Sequence, residues 1–201
     1  MEQNISNNNS KNEQMKSLSL TENSVSLTVQ YGNFSKFLVA FNPDVQYELS
    51  AEVEDCYFGY YPTLARLNKE YCSTASIQWL NIQIYNLNEF CGCKDKMSPQ
   101  QVLDCARTIS TMYYYLKVSE LMLFFFRFKA GKYGTFFGSV DPMTITSALS
   151  SFCRERLEAN AKHESEIAIR KVQEYRKDAI SYQEWQKIKL NHKSQENDKE
   201  Q

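Results

Sequence analysis

The sequence predicts an all-α protein: a small helical bundle around a buried aromatic helix, with a long C-terminal helix and disordered termini. Three observations carry this expectation. Apolar residues recur at spacings of three and four through the middle of the chain. Helix start signals recur between those stretches. Residues 116–128 are apolar almost all round, the mark of a helix buried on most sides.

The chain has 201 residues, 42% hydrophobic and 13% aromatic, which suits one core with tails. Residues 1–24 are rich in Asn, Ser, Lys and Glu, and 193–201 are nearly all polar. Such stretches bury too little apolar surface to offset chain entropy, so both are read as disordered tails. Val25, Leu27 and Val29 alternate with Ser26 and Thr28, a strand-like pattern that could pair with part of 36–41. Residues 42–56 carry Pro43 and several acids and read as a linker. The segment 25–56 is thus taken as a short strand and an acidic linker, with the helical core in 57–157.

The core helices follow in order. Pro62 suits a first helical turn, and Leu64, Leu67 and Tyr71 share a face. Ser73 or Thr74 can cap the next helix, where Ile77, Leu80, Ile84, Leu87 and Cys91 form an amphipathic stripe. Gly92 suits the left-handed position past its end. Ser98-Pro99-Gln100-Gln101 is a capping box with proline in the first turn. It opens a helix with Val102, Ala106, Ile109 and Tyr113 on one face. The aromatic helix either continues this one or follows a break near 114–117, and Gly131 and Gly134 end it. Asp141-Pro142 starts the last helix, with Ile145, Leu149 and Phe152 facing the core. The region 158–192 keeps helical spacing at Ala168, Val172, Tyr175 and Ala179, although charge dominates. A break is expected near Ile180, where Ser181–Glu184 reads as a second capping box.

Charge and cysteine content limit the function classes. Residues 1–60 hold three basic and eight acidic side chains, 61–141 nine and six, and 142–201 eleven and ten. The central excess is too small to demand a polyanion partner, although local clustering can still make a patch. The first residues lack a basic then apolar leader pattern. The six cysteines, Cys56, Cys72, Cys91, Cys93, Cys105 and Cys153, are therefore expected as thiols in a reducing cytoplasm. Cys72, Cys105 and Cys153 suit small core positions. The apolar run 113–128 is interrupted by charges and is too short to span a membrane.

No catalytic constellation stands out. Cys91 and Cys93 are one residue apart, closer than zinc-knuckle spacing, and the only histidines, His163 and His192, lie far away. A nucleophile needs a base beside it, and these histidines offer none. Glu52, Glu54 and Asp55 read as a solvated cluster. The glycines at 131, 134 and 138 match no phosphate-binding loop. The chain is read as non-enzymatic, with no metal and no cofactor.

Two segments are candidate binding sites. In RFKAGKYGTFFG (127–138), Arg127, Lys129 and Lys132 can contact phosphates while Tyr133, Phe136 and Phe137 stack bases, the logic of single-strand binders. The same aromatics serve equally well as core around a tight turn. In the C-terminal helix, Tyr175, Tyr182 and Trp185 can dock on a protein partner or back onto the domain.

From residue 59 to 156 the chain resembles an uncharacterised family found in Bacteroides-type gut anaerobes, among phage and integrated-element genes. The resemblance rests on YPTLARLNKEY, CGCKDKMSPQQV and the long run YYYLKVSELMLFFFRFKAGKYGTFFGSVDPMTITSALSSFCRER. The family pattern has a basic residue where this chain has Thr135, so this loop carries one cation fewer. The resemblance implies a small helical accessory protein of a mobile element, similar in layout to helicase loaders. DNA and a replication protein are the partners it implies. The alternative is a protein–protein adaptor using the C-terminal helix without nucleic acid. The oligomeric state is left open.

Overall fold

The computed structural model describes residues 25–92, 95–134, 140–178 and 185–187. Among these the protein is all-α. Its helices are α1 (Leu27–Tyr31), α2 (Phe34–Ala40), a 3-10 turn (Pro43–Val45), α3 (Gln46–Ala51), α4 (Val53–Phe58) and α5 (Leu64–Glu70). Then come α6 (Ala75–Phe90), α7 (Pro99–Met112), α8 (Val118–Lys129) and α9 (Pro142–Asp178). The expected tails at 1–24 and 193–201 lie outside the described residues. The chain divides into two compact units, Met1–Glu155 and Arg156–Gln201.

The first unit is built on α8. Its residues 118–125 and Phe128 are buried all round. Phe124 is the hub, with ring centroids 5.2 Å from Phe125, 5.8 Å from Phe128 and 5.7 Å from Phe152. Edge-on and tilted rings at such distances gain from their quadrupoles beyond simple burial. α3 and α4 pack on α8, while α6 packs on α7.

The start signals before α7 and α9 hold, whereas Thr63 rather than Pro62 caps α5 and Thr74 precedes α6 without a side-chain cap bond. Ser98 Oγ accepts from Gln101 N, and the Gln101 side chain accepts from Ser98 N, completing the capping box before α7. Asp141 Oδ1 accepts from Thr144 N at the start of α9. Gly92 has φ 60°, the left-handed turn for which a glycine is suited. The aromatic helix does follow a break, since α7 ends at Met112 and α8 begins at Val118. The intervening chain pairs with the start of α5: Leu64 N donates to Leu116 O and Val118 N to Pro62 O. Lys117 Nζ donates to the carbonyls of Tyr57 and Gly59.

Three expectations are corrected. The strand-like residues 25–29 form no strand. They enter helix α1, where Leu27 alone is buried. Leu27 N donates to Glu70 Oε2 at 2.6 Å and Arg66 donates to Val25 O, so tertiary anchors override the local alternation. The linker 42–56 is likewise a 3-10 turn and two helices. Its inward residues include Gln46, Ser50 and Cys56, which apolar periodicity does not flag. Among the cysteines, Cys105 is buried as expected, but Cys72 is exposed and Cys153 half-buried.

A buried polar chain runs through the first unit. Gln46 Nε2 donates to Gln83 Oε1 at 2.6 Å, and Gln83 Nε2 donates to Phe41 O at 2.9 Å. Trp79 Nε1 donates to the same carbonyl at 2.8 Å. Gln46, Gln83 and Trp79 are fully buried. Buried amides are tolerated when paired, and here they fix the register of α3 against α6.

Candidate functional site

The end of α8 and the turn after it carry Arg127, Lys129, Lys132 and Tyr133. Helical geometry separates the first two. Arg127 faces α9 and Lys129 faces α3 and α6, two residues on and about 200° round the helix. The Arg127 Nη1 donates to Tyr57 Oη at 2.8 Å and to Glu155 Oε2 at 3.0 Å. Its guanidinium also lies 5.8 Å from the Tyr57 ring centre. Lys129 Nζ donates to Gln46 Oε1 at 2.8 Å and Asn86 Oδ1 at 2.5 Å, joining the buried polar chain. The Phe90 ring centre lies 5.4 Å from it. Burial lowers the Lys129 pKa from its ordinary value, partly countered by Asp44.

Lys132 follows the helix and is half-exposed. Its Nζ donates to Glu155 Oε2 at 2.6 Å. Tyr133 is not a stacking platform on the surface. Its ring centre lies 5.6 Å from Phe124 and 6.5 Å from Phe128, inside the aromatic cluster. Its hydroxyl is buried beside the Arg127 guanidinium, and its own O–H meets no acceptor. Burial raises its pKa well above the ordinary tyrosine value. Phe136 and Phe137 lie outside the described residues. The basic and aromatic residues therefore share one end of α8, but Arg127, Lys129 and Tyr133 face inward partners.

The second candidate lies in the second unit, along α9 from Arg156. Every side chain from Glu164 to Arg176 is exposed. One face carries Glu158, Lys162, Glu166, Arg170 and Glu174, alternating in sign at four-residue spacing. Lys162 Nζ lies 3.9 Å from Glu166 Oε1. Pairs at this spacing support an exposed helix by a few tenths of a kcal/mol each, about 0.2–0.5. The other face carries Leu157, Ala161, Ala168, Val172 and Tyr175. Leu157, Val172 and Tyr175 are 64%, 50% and 77% exposed. Ala168, Ile169, Val172, Gln173 and Arg176 line a shallow, mainly apolar groove there. Trp185, 43% exposed, falls in a three-residue helical stretch, and Tyr182 lies outside the described residues.

Sequence reasoning missed Tyr57, Glu155, Gln46 and Asn86, the partners of the basic residues. They are distant in sequence, and nothing local marks them.

Residues 96–195 match the model of a family of unknown function (DUF6633). The matched stretch takes in α7, α8 and α9 and both candidate sites. It begins later and ends later than the stretch 59–156 on which the resemblance rests. No curated protein and no solved structure matches the chain. No described helix is long and apolar enough to cross a membrane.

Proposed function

We propose that the protein is a non-enzymatic adaptor that docks a partner helix on the apolar face of α9. One observation carries this reading: the face Leu157–Ala161–Ala168–Val172–Tyr175 is exposed on a helix whose other face alternates in charge. An exposed helix needs no large side chains for its own stability once it has such a ladder. Leucine, valine and tyrosine in water are a cost that a partner surface relieves, and tyrosine is favoured at interfaces. The two alanines let another helix approach closely at the centre of the stripe.

The test places a photo-crosslinking residue at Tyr175, on the stripe, or at Arg170, on the charged face, in cells that make the protein. The expected result is a discrete crosslinked species from position 175 only, abolished by Val172→Glu. Equal crosslinking from both faces, or none from either, would sink the reading.

The DNA-associated reading, with a replication partner and a mobile-element setting, stands second. It is favoured by Lys132, which is half-exposed, and by the surplus of cations over acids around Glu155. Fluorescence anisotropy with labelled single- and double-stranded DNA at two salt concentrations decides it. Binding that falls with salt and with Lys132→Ala would promote this reading. No binding at low salt would remove it.

A further inference from the structure

The cluster around Glu155 is rich in hydrogen-bond donors and poor in acceptors. One carboxylate oxygen, Glu155 Oε2, takes both Arg127 Nη1 at 3.0 Å and Lys132 Nζ at 2.6 Å. The Tyr57 hydroxyl sits 2.8 Å from the same Arg127 nitrogen. The Tyr133 hydroxyl is buried beside them, and its own O–H meets no acceptor. Two cations thus share one anion, leaving a charge of one in a place where the Arg127 and Glu155 side chains are only 18% and 29% exposed. A carboxylate has a planar pair of oxygens. A tetrahedral oxyanion offers more acceptors in three dimensions, and so matches arginine, lysine and two hydroxyls better. Lys132, at 45% exposure, leaves the cluster open to solvent.

We propose that Arg127, Lys132, Tyr57 and Tyr133 form a binding site for a phosphate group, and that Glu155 occupies it until the phosphate displaces it. Arg127 and Lys132 supply the charge. The Tyr133 hydroxyl supplies the donor that the carboxylate leaves unmet. Glu155 acts as a built-in competitor, because an anion and a carboxylate cannot share the same two cations without repulsion. This inference is independent of the docking role of α9 beyond Arg156, and either can fail alone.

The test follows phosphorus NMR of inorganic phosphate titrated with the full chain, and then of adenosine 5′-monophosphate, with adenosine as competitor. The expected result is saturable phosphate binding that Lys132→Ala weakens and added salt weakens. Glu155→Gln should tighten it about tenfold, the effect of one unit charge about 6 Å away in a medium midway between protein and water. Monophosphate binding that adenosine does not compete would show that the phosphate group is what is read. Binding of inorganic phosphate alone would make the free ion the ligand. Absence of saturable binding in both the unaltered protein and Glu155→Gln would overturn the proposal, as would binding that Lys132→Ala leaves unchanged. Circular dichroism checks the fold of Glu155→Gln. Should that variant unfold, Lys132→Ala at a half-exposed position still decides the matter.

Discussion

Gln83→Leu tests whether the buried polar chain holds the first unit together. Gln83 is fully buried and has two bonds, accepting from Gln46 Nε2 and donating to Phe41 O. Leucine has similar volume, so little cavity forms. The Phe41 carbonyl keeps the Trp79 indole as donor. The Gln46 amide nitrogen loses its acceptor, and Gln46 too is fully buried. An unmet buried donor costs about 1–3 kcal/mol, while leucine gains little in helix propensity. The expected loss is therefore about 1–3 kcal/mol. At about 2–4 °C per kcal/mol for a unit of this size, the thermal midpoint should drop by roughly 2–12 °C. Thermal and urea unfolding followed by tryptophan fluorescence are the assays, because Trp79 belongs to the same network. The slope should stay constant while the midpoint falls. Gln46→Leu/Gln83→Leu removes donor and acceptor together and should cost less than the sum of the two single changes. A midpoint that Gln83→Leu leaves in place, or a double variant that is strictly additive, would refute the network as drawn.

Other outcomes follow from the same structure. Ser50 is buried on α3 with a hydroxyl that has no hydrogen-bond partner, so Ser50→Ala should stabilise by about 1 kcal/mol in thermal unfolding. Burial pushes the Cys56 thiol up to about 11 and the Cys105 thiol up to about 12. At pH 8 their thiolate fractions are then about one in a thousand and one in ten thousand, so a disulfide reagent should label exposed Cys72 first and these two only on unfolding. The Glu70 carboxyl is raised by burial but lowered more by the Arg66 hydrogen bond and the Leu27 N–H, ending below its ordinary 4.5. Its ionised form therefore stabilises the fold above about pH 4.5, and that contribution is lost as pH falls through the lowered value. Glu70→Gln should flatten this part of an acid-unfolding curve, and an unchanged curve would contradict the α1–α5 tie.

Much of the fold is legible in the residues themselves. The all-α class follows from period and capping: Ser98 with Gln101, Asp141 before Pro142, and Gly92 all act through partners within a few residues. The burial of 118–125 and Phe128 also follows locally, since a run that is apolar almost all round has nowhere else to go. The stretch 25–56 misled for the opposite reason. Its helices bury Gln46 and Ser50, whose placement depends on α6 and α8 rather than on their own hydropathy.

The candidate sites divide in the same way. The exposed α9 stripe is legible because its spacing and its charge ladder both lie on one helix. The basic end of α8 is not. Arg127, Lys129 and Lys132 read as three equivalent surface cations, since a sequence shows each charge but not what it faces. Tertiary structure sends Lys129 to Gln46 and Asn86, and brings Arg127 and Lys132 onto Glu155. From residue 57 onward the sequence by itself determined which segments are helical, because those choices are made by hydrogen bonds and apolar faces within a few turns. Only the tertiary structure decided which polar groups are buried and which cations are engaged, because those partners lie 23 to 83 residues away along the chain.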